Sequence, residues 1–474
     1  MKKKQHNLAI EILKNNRRNA LRGLLNDPVK TRRLKIRAKA LVARGSTAQS
    51  DLENEDFKPL LEAFPCWCVT TYAISGSIPM KPGIFDVVII DEASQCDIAS
   101  CFPILYRAKR AVIVGDDKQL PHLSFLEKAK EQSFLTQYEI PNKYQLIWRF
   151  RTNSMFDLAN YYSTNSVLLD EHFRSSKPII DFSNKEFYAN RIRIMNRSTD
   201  FRGVLEVNYV YDGKVDYAVT KNLPEAEEVV KRIHQLITDN EHDNPDNPMT
   251  IGVISPFRAQ VELIKRSIMQ VLSDTIIKKY KIEVGTAHTF QGDERDIMIL
   301  SWAIAGNSHS QSLTFLQRPN LFNVAITRAR KKLICFISKD PKTLPDGLLR
   351  SYMEYMLEYE ENSKNLDKLN TDIYKNDFEK EVAQALRENG VEVRAGVEVA
   401  GFSTDLLINL PQKDQIILEI DGVEDSIKSS QTFIKKEKIL ERSVFKVIRL
   451  SFREWQNSKP ASIDRILSNL PKEE

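Results

Sequence analysis

The sequence predicts an α/β protein built on parallel sheets, and three observations carry that prediction. Apolar, β-rich runs at 86–90, 111–114, 250–255, 283–286, 296–301 and 332–337 each end at a cluster of polar residues. This is the texture of buried parallel strands with functional loops at their carboxyl ends. Helical periodicity separates the runs, as in 258–272 and 323–330. The 474 residues also exceed what one core holds, and 42% hydrophobic residues with 16 Gly and 19 Pro exclude collagen-like, low-complexity and disordered classes.

The chain opens on a basic segment. Of its 69 Lys/Arg and 64 Asp/Glu, residues 1–50 hold 14 basic residues against only Glu11 and Asp27, so the remainder is net acidic. Leu8, Ile12, Leu21, Leu24 and Leu25 fall at helical spacing, and Asp27-Pro28 predicts the break of an α-helical hairpin. Its cations, Arg17, Arg18, Arg32, Arg33, Lys35, Arg37 and Lys39 among them, suit either phosphate contacts or a solvated helix face. The stretch 338–371 turns polar and charged and reads as a helical linker. The last hundred residues follow an α-β-β-β-α-β pattern. It runs through Phe378, Val382 and Leu386 at i, i+4, i+8, then strands near 391, 406 and 416–420, a helix at 431–441 and a strand at 444–450.

No apolar run of about 18 residues is present, which predicts no membrane span. Five cysteines are too few and too uneven for a disulfide framework, which favours a cytoplasmic setting. Cys66-x-Cys68 with Cys96 and Cys101 lacks the paired CxxC spacing of a zinc ribbon, so buried thiols are expected. Trp67, Trp148 and Tyr161-Tyr162 are expected to serve as core.

Residues 87–95, VVIIDEASQ, run four β-formers into Asp91-Glu92. Adjacent carboxylates at the end of a buried strand are costly unless a cation or water uses them. In nucleotide hydrolases such an Asp holds Mg²⁺ and such a Glu orients the attacking water. The next strand leads into the polar loop Gly115-Asp116-Asp117-Lys118-Gln119. Together these strings resemble motifs II and III of superfamily 1 helicases, in the subgroup of the nonsense-mediated-decay helicase and its bacterial relatives. Further matches follow in order: 169–175, LDEHFRS, is similar to motif IV, and 254–260, ISPFRAQ, to the start of a second RecA-like domain. Then 285–296, GTAHTFQGDERD, matches motif V, and 323–330, NVAITRAR, motif VI.

The resemblance implies a partial and a complete RecA-like parallel-sheet domain, ATP and Mg as cofactors, and DNA or RNA as partner. It places Asp91 at Mg²⁺, Glu92 as base, Gln119 as phosphate sensor, and Arg174 and Arg328 at the γ-phosphate. Gly115, Asp116, Gln291, Gly292, Glu294 and Arg330 would line the nucleotide side. Thr70 and Thr71, similar to motif Ic, and Thr286 would contact nucleic acid. His172 and His288 lie inside these motifs without metal-ligand spacing. A guanidinium offered to a γ-phosphate from a neighbouring domain ties hydrolysis to cleft closure.

One part is missing. A phosphate-cradling loop needs Gly-x4-Gly-Lys followed by Ser or Thr. The only Gly-Lys, Gly213-Lys214, has Asn208 in place of the first Gly and Val215 in place of the hydroxyl. In the family this loop precedes motif II. The expectation is therefore the C-terminal part of a longer helicase, little ATP hydrolysis by the chain alone, and a possible upstream partner polypeptide that completes a composite site. A non-catalytic binding or assembly subunit is the alternative.

The C-terminal region, with Glu379, VAGF before Asp405, and ILEIDG at 417–422, resembles the restriction-endonuclease-like domain related to the very-short-patch repair nuclease. That resemblance implies a possible Mg-dependent nuclease, with Asp405 and Glu419 on the metal and Asp421 beside them. It departs from the family where a His is usual: Glu424-Asp425-Ser426 stand there instead. The expected organisation is a basic segment (1–64), the end of a first RecA-like domain (65–165), a second (166–345), a linker (346–372) and the endonuclease-like domain (373–474).

Overall fold

A computed structural model describes residues 2–42, 61, 64–196, 201–216, 219–243, 247–364, 372–409, 415–421, 436, 438–440, 442 and 445–470. The chain divides into two compact units, 1–166 and 167–474. No helix among the described residues is long and apolar enough to cross a membrane.

The first unit begins with helices Lys2–Leu25 and Pro28–Val42, broken at Asp27, whose carboxylate accepts from Val29 N at 3.0 Å. Strands β1 (Val88–Ile90) and β2 (Ala111–Ile113) pair in parallel, Ile89 opposite Val112. Beneath them helices Ile98–Tyr106 and Met155–Tyr162 close a core of Ile90, Ala93, Ile98, Cys101 and Leu158. The strands are only half buried, contrary to expectation. Ile90 points into this core, whereas Ile89 is 67% and Val112 48% exposed, because period-two alternation sends them to a face that no described residue covers. Cys101 is buried but Cys66 and Cys68 are exposed, so the expectation of buried thiols fails for that pair. Trp67 and Trp148 pack against the core as expected, whereas Tyr161 and Tyr162 are exposed.

In the second unit, β3 (Glu171–His172) pairs with β4 (Arg193–Ile194), and β6 (Val215–Asp216) with β7 (Lys221–Asn222). A five-stranded, wholly parallel sheet has the order β5-β11-β10-β8-β9, formed by Leu205–Tyr209, Ala329–Ser338, Arg295–Ala305, Ile251–Ile254 and Glu283–Gly285. Its central strand β10 is buried from Ile297 to Ala305, as a continuous apolar run in a sheet covered on both faces must be. The helix expected at 323–330 instead spans Pro319–Ile326, with Pro319 at its first turn. Thus Arg328 follows the helix and Arg330 lies on β11.

The stretch expected to be a linker is helical over Leu348–Lys364, but it is not a spacer. Leu349, Tyr352, Met353 and Met356 are buried, and Tyr352 packs edge-on against Phe182 and Phe322. Polar residues on the outer face of this amphipathic helix gave it the look of a linker.

The C-terminal region has helix Asp377–Glu388, a four-stranded mixed sheet and two closing helices. The sheet order is β12-β15-β16-β17, with Glu392–Ala395 and Leu406–Asn409 antiparallel to their neighbours and Gln415–Asp421 parallel to Lys446–Ser451. A small hairpin, β13 (Glu398–Val399) with β14 (Phe402–Ser403), stands apart. The sequence pattern had missed this hairpin and the helices after β17. Residues 424–426, where the family's His is replaced, lie outside the described residues.

Candidate functional site

In the first unit the parallel pairing of β1 with β2 brings two loops to one edge. The ladder continues past the strands, with Val114 N donating to Ile90 O at 2.8 Å and Ala93 N to Val114 O at 2.8 Å, and His122 N reaches Ser94 O at 3.0 Å. Asp91 and Glu92 are thereby held beside the loop 115–119. Glu92 adopts a left-handed φ of 51°, a strained conformation for a residue with a Cβ. Asp91 Oδ1 accepts from Glu92 N (2.9 Å) and Glu92 Oε2 from Gln95 Nε2 (2.7 Å); both acidic residues are exposed. Gln119 Nε2 donates to Asp116 Oδ2 at 3.0 Å. Gly115 is required by close approach, since a Cβ there would lie 2.7 Å from the Phe156 ring. Thr70, at a turn, accepts from Ala73 N through its hydroxyl; it is exposed and Thr71 half-buried.

No group of three or more His, Cys, Asp or Glu among the described residues is arranged to hold a metal. A single carboxylate such as Asp91 nevertheless fits Mg²⁺, which characteristically takes one or two carboxylates and completes its shell with phosphate and water.

In the second unit three separated segments converge. β10 and β11 pair with Arg295 opposite Ala329, and Arg295 N donates to Arg328 O at 3.2 Å. Ser175 Oγ donates to Ala329 O at 2.6 Å and Ser176 N to Arg330 O at 3.2 Å, which sews the 169–176 loop to the same strand. Glu294 then sits between two guanidiniums, Arg174 on one carboxylate oxygen and Arg330 Nε at 2.6 Å on the other. Arg328 is buried, its Nε donating to Val324 O and its Nη2 to Thr327 Oγ1. Burial, reinforced by the Arg174 and Arg328 charges, pushes the His172 imidazole down to about 4. It is neutral near pH 7, and its Nε2 accepts from Ser175 N at 2.9 Å.

Motif V lies on the turn after β9. Thr286 N donates to Thr289 Oγ1 at 3.3 Å, Gln291 N reaches His288 O, and Gly292 has the positive φ of 77° that the turn demands. Thr286 and Gln291 are half-buried. Asp116, Gln119, Gln291 and Arg328 engage in further interactions.

In the C-terminal region Glu379, Asp405 and Glu419 are brought together and buried, whereas Asp421 is exposed at the end of β16. Asp405 Oδ2 accepts from Ile420 N at 2.7 Å and Glu379 Oε2 from Lys375 N at 2.7 Å. Burial raises the Glu379 and Glu419 carboxyls, and the neighbouring Asp405 charge adds to both.

Sequence reasoning missed two participants. The Lys375 ammonium pairs with Asp405, and Lys436 Nζ lies 2.6 Å from Glu419 Oε2. No local pattern marks either lysine, because a contact 30 or 17 residues away in sequence is made only by the fold. The buried Glu225 was missed as well. Its carboxylate accepts from Ser301 Oγ, Ala303 N, Asn222 Nδ2 and Ser338 Oγ at 2.8–3.2 Å.

Residues 2–125 match the AAA_11 family and 151–340 the AAA_12 family, each described as an AAA domain, and 378–470 match REase_MTES_1575. The uncharacterized ATP-dependent helicase MG140 of Mycoplasma genitalium is 26% identical over 451 residues, covering 88% of this chain and 39% of the relative. Helicase SEN1 of Saccharomyces cerevisiae is 27% identical, covering 56% of the chain and 12% of its own length. The chain thus spans well under half of these curated relatives. Among solved structures, the Arterivirus nonstructural protein 10 helicase with DNA overlaps 55% of this chain and 42% of its own, at 14% identity and a TM-score of 0.29, too low to add weight. From the two AAA matches, the helicase relatives and the C-terminal match, the chain belongs to the superfamily 1 helicases of the SEN1-like kind and carries a restriction-endonuclease-like domain at its C-terminal end.

Proposed function

We propose that the chain is the C-terminal portion of an ATP-dependent nucleic-acid helicase or translocase. Asp91 serves Mg²⁺, Glu92 activates the attacking water, Gln119 senses the phosphate, and Arg174 and Arg328 address the γ-phosphate. Gly115, Asp116, Gln291, Gly292, Glu294 and Arg330 shape the nucleotide side, and Thr70, Thr71 and Thr286 the strand side. The observation that carries this reading is the meeting of Arg174 and Arg330 on Glu294 from three segments, with the backbone of Arg328 bonded to the neighbouring Arg295. A carboxylate held between guanidiniums marks a place suited to an anion. The strained Glu92 beside the 115–119 loop supports the reading from the other set of motifs. The cationic helices at 2–42 suit a phosphate backbone.

The 474 residues contain no Gly-x4-Gly-Lys-Ser/Thr, the string that cradles a β-phosphate in P-loop nucleotide hydrolases. A malachite-green assay on the isolated chain, with and without single-stranded DNA or RNA, is expected to detect no stimulated release of phosphate. Stimulated turnover that disappears in Glu92→Gln would refute the dependence on a loop supplied by another polypeptide.

The clustering of Glu379, Asp405 and Glu419 favours a second reading for the C-terminal domain, a Mg²⁺-assisted phosphodiester nuclease, with Asp421 at its rim. Mn²⁺-dependent nicking of plasmid DNA that is lost in Asp405→Ala would support it.

A further inference from the structure

The carboxylates of the endonuclease-like domain are not bare. Glu379, Asp405 and Glu419 are 2%, 5% and 3% exposed, and burying three such groups side by side is costly in their charged form unless positive charge offsets it. Two lysines supply it. Lys375 closes on Asp405 Oδ1; burial would lower its ammonium, and the Asp405 contact more than reverses this. Lys436 is itself only 13% exposed in its side chain, and its Nζ donates to Glu419 Oε2 at 2.6 Å and to Ser403 O at 2.9 Å. The pairing is incomplete. Glu419 Oε1 is buried and has no hydrogen-bond partner among the described residues, so one lone-pair-bearing oxygen beside the Lys436 contact is left unsatisfied there.

We infer that Lys436 is a tethered counter-ion that holds the place of a divalent cation at Glu419, so that the metal enters only by displacing its ammonium. The inference rests on the reading of Asp405 and Glu419 as metal-facing carboxylates. Asp405 Oδ1, Glu419 Oε1 and Glu419 Oε2 are the hard oxygen donors available to such an ion. Two of the three are already taken by ammonium groups. A divalent ion beside Glu419 would meet the Lys436 charge at close range in a poorly solvated site, where like charges repel strongly. In the unloaded protein the lysine keeps the buried carboxylate tolerable, and it sets the threshold metal concentration above which the site fills.

The test is Mn²⁺ binding to the full 474-residue chain, followed by calorimetry and by paramagnetic resonance of the free ion. Lys436→Gln keeps an N–H donor for Glu419 and removes the charge. Glu419→Gln, alone and combined with it, isolates the signal of this site. The expected result is at least about tenfold tighter Mn²⁺ binding in Lys436→Gln than in the unaltered chain, abolished by Glu419→Gln, with Lys436→Arg behaving like the unaltered chain. Equal affinity in Lys436→Gln and the unaltered chain, both dependent on Glu419, would overturn the role of the lysine and leave the metal reading standing. Absence of any Glu419-dependent binding would overturn the metal reading itself. The unaltered chain gives an independent check if the variant does not fold. Its melting temperature is expected not to respond to micromolar Mn²⁺, and a Glu419-dependent rise there contradicts the inference.

Discussion

Glu225 illustrates what single residues contribute and what the sequence hides about them. It lies in an ordinary helical stretch, NLPEAEEVV, where Glu227 and Glu228 offer identical chemistry on the solvent side. Only the fold turns Glu225 inward, against the Ser301, Ala303 and Ser338 ends of β10 and β11. Burial pushes its carboxyl up to about 7, from an ordinary value of 4.5. Between those values the folded protein holds a proton that the unfolded chain releases, so stability falls as pH rises through the window and levels off above it. The loss is on the order of 3 kcal/mol. Denaturant unfolding at pH 5 and pH 8 should show this decline in the unaltered chain and a flatter profile in Glu225→Gln; superimposable profiles would contradict it. Asp91, Glu92, Asp405 and Glu419 were legible because each ends or interrupts an apolar run, whereas Lys375 and Lys436 sit in unremarkable polar surroundings.

At the scale of elements, the apolar runs were legible as strands, whereas β3 to β7, the hairpin of β13 and β14, and the partner of each strand were not. Each apolar run became a strand within a few residues of the expected limits, since period and composition are local properties. That helix Pro319–Ile326 stops short, leaving Arg328 and Arg330 on the turn and strand that follow, depends on β11 pairing with β10 and β5, which no local pattern reveals. The same holds for the link between the five-stranded lobe and the endonuclease-like domain. Met195, just past β4, is 2% exposed among Val399, Leu407, Ile417 and Leu440, and its N–H donates to His172 O at 2.7 Å. Lys177 pairs with Glu398 at 2.8 Å and Arg442 with Glu171 nearby. The loop that carries Arg174 is therefore anchored to the C-terminal domain. Met195→Ala should cost about 2–5 kcal/mol and release that domain to proteases, as judged by limited proteolysis and chemical denaturation. A cost below about 0.5 kcal/mol, within the range of surface substitutions, would mean that the side chain holds nothing together.

For the whole molecule, the order of the motifs is the most legible feature, because it depends on sequence alone and resembles that of superfamily 1 helicases. What order could not convey is which charges are already engaged: Glu294 between Arg174 and Arg330, and the carboxylates of the C-terminal domain with their lysines. The molecule carries strings that resemble the acidic and arginine motifs of superfamily 1 helicases, and its 474 residues contain no Gly-x4-Gly-Lys-Ser/Thr. The decisive measurement is a calorimetric titration of ATP-Mg²⁺ into this chain, first alone and then mixed with a polypeptide bearing a Gly-x4-Gly-Lys-Thr loop from the same family. Heat of binding only in the mixture, lost again in Arg328→Ala, is the predicted result. Micromolar binding by the chain alone, indifferent to Arg328 and Asp91, would contradict it.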